Sequence, residues 1–300
     1  TIVEPRYGAK LTGKIGKTSI GMFVADDEAP GKVDDRTSPL YGRSAGVVLA
    51  RAKYDLYRNS HIGAIFTDRE FFTGYSRLVG LDSALRFGAN KNLTIRTFAS
   101  DRKDLRGVKR TGGALDVSFR QESSRGLRYS LIHNQLSPDF GNELSFVRRV
   151  DQKQVNGTLG YRFWPESWIT NLGPGISYLR LYDFKNVLQN EDYGVNFNVE
   201  LAKNITFTSE VTQELERYRG VEFDKTRFQI TSRVNTSRKV LLSATFNRGD
   251  EIRFIVNPFL GRTTVFNLSA PVRPFSRLQS VVTLDTTHFT DVRSDTPAFD

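Results

Sequence analysis

The alternation of apolar and polar residues over 191–216 constrains the fold more than any other feature of this chain. The segment reads EDYGVNFNVELAKNITFTSEVTQELE, with apolar side chains at 193, 195, 197, 199 and 201 and polar ones between them. Successive side chains of a β-strand point to opposite faces, so this pattern predicts a hairpin with one apolar and one polar face. Because the alternation keeps its parity beyond 202–204, the turn has an odd length. We predict three residues, with Asn204 in the left-handed conformation.

The same alternation recurs along the chain, at 113–121, 155–163, 227–234 and 277–286. No comparable stretch has helical spacing, and the pattern predicts about sixteen strands, roughly 9–14 residues long, in hairpins. Short turns are expected near 16–18, 59, 89–92, 123–126, 164–174, 202–204, 236–239 and 273–276. Longer polar loops are expected at 27–42, 68–76, 101–112, 136–152, 185–192, 216–225 and 249–262.

The length of the strands separates the candidate architectures. Propeller blades place four short strands in about 40 residues, and sandwiches have short strands at spacings of about 8–12 residues. The sequence has 38% apolar residues and a mean hydropathy of −0.40, with no apolar run long enough for a transmembrane helix. A transmembrane barrel needs no such run, because every apolar residue alternates with a polar one. We therefore predict an all-β fold, a large antiparallel transmembrane β-barrel.

In this fold the apolar face contacts lipid and the polar face lines a watery lumen. The predicted lumen-lining residues are Arg96, Arg128, Arg162, Asn196, Asn198, Glu200, Glu210, Arg227, Thr231, Arg233 and Asp285. Aromatic side chains beside the short turns are expected at the lipid headgroups. These interface residues are Tyr54, Tyr57, Tyr161, Trp164 and Trp168.

Charge and cysteine usage restrict the partners. The chain has a formal net charge of +10 and no cysteine, so disulfides and thiolate metal sites are excluded. The densest basic cluster, at 101–110, lacks the interleaved aromatics of single-strand nucleic-acid binders. We interpret it as a solvated loop or a contact for lipopolysaccharide phosphates, and expect outer-membrane lipid as the partner and no nucleic acid.

No catalytic motif is present. The acidic residues Glu210 and Glu214 are four positions apart on one strand, about 13 Å, which is too far for a glycosidase pair. The three histidines are dispersed, so we expect no zinc site, no cofactor and no catalytic residue in this chain. A weaker hypothesis is calcium binding by the loop acids, which are Asp26, Asp27, Glu28, Asp34 and Asp35.

The ends of the chain lead to a further expectation. The first predicted turn is short, so the first and last strands both border the long-loop side, whereas bacterial single-chain barrels end on the short-turn side. We therefore expect residues 1–300 to be a single barrel domain that is an internal segment of a longer chain.

Four stretches resemble a known family. They are GAKLTGKIGKTSIGMFVADDE (8–28), RNSHIGAIFTDRE (58–70), SRLVGLDSALRFG (76–88) and LSPDFGNELSFVRRVD (136–151). They are similar to the large carboxy-terminal barrel of bacterial outer-membrane proteins that carry an amino-terminal family-9-like carbohydrate-binding module. The module and both barrel ends are absent here, so its sugar-binding or hydrolase-like role transfers to no residue of this chain.

Three functions remain open from the sequence. The first is a porin-like outer-membrane barrel for passage or docking of a polar ligand, including a carbohydrate-related ligand or a partner protein. The second is a barrel that only anchors a carbohydrate-binding or hydrolase-like module. The third is a soluble β-protein with its own binding site.

Overall fold

The computed structural model describes residues 4–57, 59–235, 241–275, 277–291 and 296–299. The strands are β1 Pro5–Ile15, β2 Thr18–Asp27, β3 Ala45–Asp55, β4 His61–Phe71, β5 Gly74–Phe87, β6 Lys91–Lys103, β7 Lys109–Gln121, β8 Gly126–Leu136, β9 Gln152–Arg162, β10 Ile169–Tyr182, β11 Leu188–Leu201, β12 Ile205–Tyr218, β13 Val221–Val234, β14 Leu242–Arg253, β15 Phe259–Phe275, β16 Leu278–Asp291 and β17 Thr296–Phe299. A single-turn 3-10 helix, Ala29–Gly31, lies between β2 and β3.

The chain divides into two compact units. Of the described residues, unit 1 contains those within 4–120, 132–154 and 183–186, and unit 2 contains those within 121–131, 155–182 and 187–299. In unit 1, the strands β1 to β6 pair in sequence order, each antiparallel to the next. In unit 2, β10 to β17 pair in the same consecutive, antiparallel manner.

This arrangement confirms the predicted fold class. The described chain is all-β apart from one helical turn, and its long antiparallel strands pair in the consecutive order of large up-and-down barrels. The alternating periodicity therefore predicted both the strand type and the connectivity. Strand β17, a four-residue strand near the end of the chain, was not predicted.

The hairpin that opened the sequence analysis forms with the predicted register. Leu201 pairs with Ile205 across a three-residue turn, and Asn196 lies opposite Glu210. Both Lys203 and Asn204 have left-handed backbones, with φ of 66° and 57°. The predicted turn at 236–239 lies outside the described residues.

Several predicted long loops are instead continuations of the strands. Only Phe72 and Thr73 separate β4 from β5, and only Arg219 and Gly220 separate β12 from β13. Among the described residues, long connections remain at 28–44 and 137–151. The error has a physical cause, because charged residues at these strand ends form ion pairs across the hairpin. Arg77, for example, bonds Asp68 at 3.3 Å and also pairs with Glu70.

The two faces of the strands differ in chemistry, and the apolar face is exposed. On β11, Val195 and Phe197 are 63% and 40% exposed, while the alternating Asn198 donates a hydrogen bond to Thr208. In unit 1, Val79 and Leu81 of β5 are 54% and 59% exposed. The described apolar face is thus open to its surroundings and has no second protein layer packed against it.

Candidate functional site

The polar face of unit 2 carries most of the predicted lumen residues. Cross-strand pairs place Glu200 opposite Thr206, which lies opposite Arg233 on the next strand. In the same way, Asn198 lies opposite Thr208, which lies opposite Thr231. Directly paired residues of an antiparallel sheet share a face, so these side chains form rows on one surface. The remaining predicted residues of β11 to β16 in this surface are Asn196, Glu210, Arg227 and Asp285.

Three predicted arginines lie on other strands. Arg128 lies on the opposite face of β8 from the exposed Leu127 and Leu131, and Arg162 alternates with the exposed Tyr161 on β9. In unit 1, Arg96 pairs with Asp82 in the register of β5 and β6. That each of these side chains borders a water-filled lumen stays a prediction.

A charged cluster that sequence reasoning missed lies on the polar face of unit 2. Lys225 is 3% exposed, and its Nζ lies 2.9 Å from Glu214 and also pairs with Glu216. Arg227 binds the second oxygen of Glu214 at 2.6 Å, and Asp192 lies opposite Glu214 in the register. The cluster thus brings together three acids and two bases from three strands, and no spacing within one strand could reveal this.

A cavity of about 290 Å³ lies next to this cluster. Its lining comes from unit 2 and includes Leu179 and Tyr178 together with the polar residues Asn156, Thr158, Asp192, Glu210, Arg227 and Gln229. Amides, hydroxyls and charges of both signs are thus concentrated on one surface.

In unit 1 the long connection between β8 and β9, residues 137–151, folds onto the polar face of the strands; we call it the covering segment. The backbone N–H of Gly141 donates to Ser100 Oγ at 3.2 Å, and that of Glu143 donates to Ser76 Oγ at 3.1 Å. Asn142 Nδ2 donates to Thr67 Oγ1 at 3.0 Å. These bonds come from three neighbouring strands, so the segment is anchored across β4, β5 and β6.

Charge and close packing add to this anchoring. Arg102 donates to the carbonyl of Asp139 at 3.0 Å, and Arg69 forms an ion pair with Glu143. A Cβ atom on Gly112 would lie 2.3 Å from the backbone nitrogen of Phe140. The backbones of β7 and the covering segment therefore approach so closely that only glycine fits at this position.

Sequence reasoning placed 136–152 in a long polar loop but did not predict that it folds onto the sheet. The available signals were the small residues Gly112 and Gly141 and the apolar residues within the loop, Phe140 and Leu144. Hydroxyls at Thr67, Ser76 and Ser100 look like ordinary polar-face residues until their partners are known.

A second polar cluster of unit 1 surrounds Asp82. Arg51 donates to its Oδ2 at 2.9 Å, and His61 Nε2 lies 3.5 Å from the same oxygen. This carboxylate could not be assigned to His61 from the sequence, because Asp82 comes from the next strand. Near the end of β4, Asp68 and Glu70 pair with Arg77, whereas Arg69 pairs with Glu143 of the covering segment.

The structure does not bring the five loop acids together as a calcium site. Asp26 pairs with Arg6 at 2.7 Å, and Asp27 accepts the backbone N–H groups of Glu4 and Ala29. Thr37 donates its hydroxyl and its backbone N–H to Asp35, which holds the pKa of that carboxyl below its ordinary value. Glu28 lies 3.6 Å from Arg6, and Asp34 is outside these contacts. In the described part of the chain, no cluster of three or more metal-ligating side chains is present.

The predicted interface aromatics are all exposed. Tyr54 and Tyr57 of unit 1 are 44% and 50% exposed. In unit 2, Tyr161 packs against Phe163 with ring centroids 4.5 Å apart. The Trp164 indole donates to the carbonyl of Ser124, and Trp168 is exposed nearby in sequence. Contact of these rings with headgroups remains a prediction.

Comparison with known proteins gives structural neighbours and no sequence match. No protein-family profile and no curated protein matches this sequence, so the carbohydrate-module resemblance gains no support. The chain is similar to the crystal structure of Acinetobacter baumannii OccAB2, with 10% identity, a TM-score of 0.46, and 91% and 86% of the two chains covered. It is also similar to OccAB3 of that organism, with 9% identity, a TM-score of 0.45, and 90% and 86% covered. No helix among the described residues has the length and apolar character needed to cross a bilayer.

Proposed function

We propose that this chain is part of a bacterial outer-membrane β-barrel whose polar face borders a passage for polar solutes. The exposed apolar face of the strands is the observation that carries the proposal. Val195, Val211 and Phe228 occupy this face on three successive strands and are 63%, 47% and 40% exposed. An apolar surface of this extent is an aggregation hazard in water, but hydrocarbon tails solvate it without cost.

A closed barrel has no unpaired strand edge, and this property suits strands whose apolar face contacts lipid. Every backbone group within a bilayer needs a partner, and consecutive antiparallel pairing supplies it along the strands of both units. A soluble protein would need a second layer to bury the apolar face. This requirement makes the soluble alternative the weakest of the three.

The chemistry of the polar face suits neutral and polar solutes. Arginines and carboxylates alternate with Asn198, Thr208 and Thr231, so no single sign of charge dominates. Amides and hydroxyls are also groups that hydrogen-bond sugar hydroxyls. We therefore expect weak ion selectivity, with carbohydrate-related ligands as one candidate class.

Planar-bilayer recording of the full-length protein tests this function. We expect discrete conductance steps with a small preference between cations and anions. A silent bilayer, from protein that resists extraction without detergent, would favour the role of a membrane anchor. Release into the aqueous phase without detergent would contradict both roles and support a soluble β-protein.

Lipopolysaccharide is the proposed lipid partner of the β6–β7 hairpin end. The backbone N–H of Asp104 donates to the carbonyl of Val108 at 3.1 Å, which places Lys103 opposite Lys109. Like charges that face each other on a hairpin repel, and a phosphate between them removes this repulsion. We expect the double variant Lys103→Gln/Lys109→Gln to co-purify with less lipopolysaccharide. Unchanged lipid content would contradict this contact.

A further inference from the structure

The covering segment leaves a cavity of about 450 Å³ between itself and the strands of unit 1. Strand residues Leu49, Ile65, Leu78 and Phe98 form its wall, on the face that also carries Arg96 and Ser100. Phe140 and Leu144 of the covering segment line it from the other side. Apolar side chains at the polar face are unexpected for a surface that only contacts water, and they require a partner.

The two charged side chains of the cavity lining, Arg96 and Asp116, pair with each other. Arg96 lies 3.8 Å from Asp116, whose carboxylate also accepts a hydrogen bond from Asn134 at 3.4 Å. The amide of Asn142 is used by Thr67. One positive and one negative group thus compensate each other at one side of an apolar chamber, so a bound solute need not carry a charge.

We propose that this cavity binds an uncharged amphipathic solute, with an aromatic or short aliphatic body and a hydroxyl or amide group. The body would lie against Leu49, Ile65 and Phe98, and the polar group would hydrogen-bond near Asn134 and Asp116. Volumes of about 300–1,000 Å³ with mostly apolar walls and a few polar groups are typical of small-molecule sites. The cavity and its ligand class are inferred from unit 1 alone. Only the statement that the ligand is a solute of the passage rests on the proposed function.

A series of naphthalene compounds tests the class of ligand. Naphthalenemethanol, naphthoate and naphthylmethylamine share a ring and differ in charge. Each is titrated by calorimetry into the full-length protein in lipid nanodiscs, with empty nanodiscs to subtract membrane partition. We expect saturable binding of the alcohol, at least about tenfold tighter than that of either ion, since transfer of a charge into the apolar chamber is unfavourable.

Two phenylalanines on opposite faces provide matched variants. Phe98 lines the cavity, whereas Phe66 lies on the exposed apolar face of β4. We expect Phe98→Ala to weaken binding of the alcohol by about tenfold and Phe66→Ala to leave it unchanged. A filling variant, Ile65→Trp, should also abolish binding while the circular dichroism of the strands is kept.

The binding measurements either support or overturn the proposed cavity ligand. Non-saturable uptake equal to that of empty nanodiscs, tighter binding of an ion, or equal loss in both phenylalanine variants would overturn it. The bilayer recording separates the two proposals, because conductance without naphthalenemethanol binding refutes only the cavity ligand. Specific binding by a protein that never conducts refutes only the passage.

Discussion

The covering segment should loosen when its two buried serine acceptors are removed. Ser76 and Ser100 are 0% and 4% exposed, and each accepts a backbone N–H of the segment. In the double variant Ser76→Ala/Ser100→Ala, the N–H groups of Gly141 and Glu143 lose their partners. The Gly141 N–H is buried, and a buried donor left without a partner costs about 1–3 kcal/mol, whereas the part-buried Glu143 N–H adds less, so the anchoring weakens by about 2–4 kcal/mol.

Hydrogen exchange measured by mass spectrometry reads this change directly. A loss of about 2 kcal/mol raises the population of the open segment by about 30-fold, and exchange at 139–144 should accelerate by that factor. The single-channel conductance should rise or become noisier at the same time. Three other anchors remain and limit the effect, namely Asn142 on Thr67, Arg102 on the carbonyl of Asp139, and the ion pair of Arg69 with Glu143.

A control substitution for this double variant is available on β5, the strand that carries Ser76. Ser83 of β5 has the opposite parity to Ser76, so Ser83→Ala should leave exchange of the segment unchanged. If exchange at 139–144 stays at its original rate in a correctly folded double variant, the covering segment is not held by these bonds.

Three further perturbations test separate parts of the structure. Gly112→Ala should displace the covering segment and raise its exchange, because the new Cβ meets backbone at 2.3 Å, whereas Gly113→Ala, with its nearest neighbour at 3.7 Å, should not. Val195→Arg should destabilise the protein in lipid vesicles by about 2–4 kcal/mol in denaturant unfolding, while Asn196→Arg on the other face is tolerated; equal effects would contradict the assignment of faces. Lys225→Met should cost about 1–3 kcal/mol, because Glu216 loses its cation while Glu214 keeps Arg227, and normal unfolding of this variant would show that the cluster is solvated.

The hairpin of β11 and β12 shows which parts of the fold can be predicted from the sequence. Apolar residues at every second position specify both the strands and the faces, and parity alone predicted that Glu210 lies opposite Asn196. Such periodicity is a local property, since it depends only on the geometry of one strand. The same reasoning placed the predicted arginines and amides on polar faces.

The strand ends were mispredicted for a related reason. A run such as 216–225 is rich in charge and resembles a solvated loop, yet Arg217 pairs with Glu222 across a two-residue turn. Gly220, with φ of 81°, makes that turn tight. Cross-strand ion pairs keep charged residues extended, and their partners are not identified by hydropathy.

The sequence by itself determined the strand type, the order of pairing and the chemistry of each face, because these follow from a repeat of two residues. Only the tertiary structure decided that residues 137–151 fold onto the strands, that Lys225 joins Glu214 and Glu216, and that Phe98 faces a cavity. Each of these features depends on side chains from different strands meeting at distances of a few ångströms. Contacts of that kind are set by register and packing, which no single strand encodes.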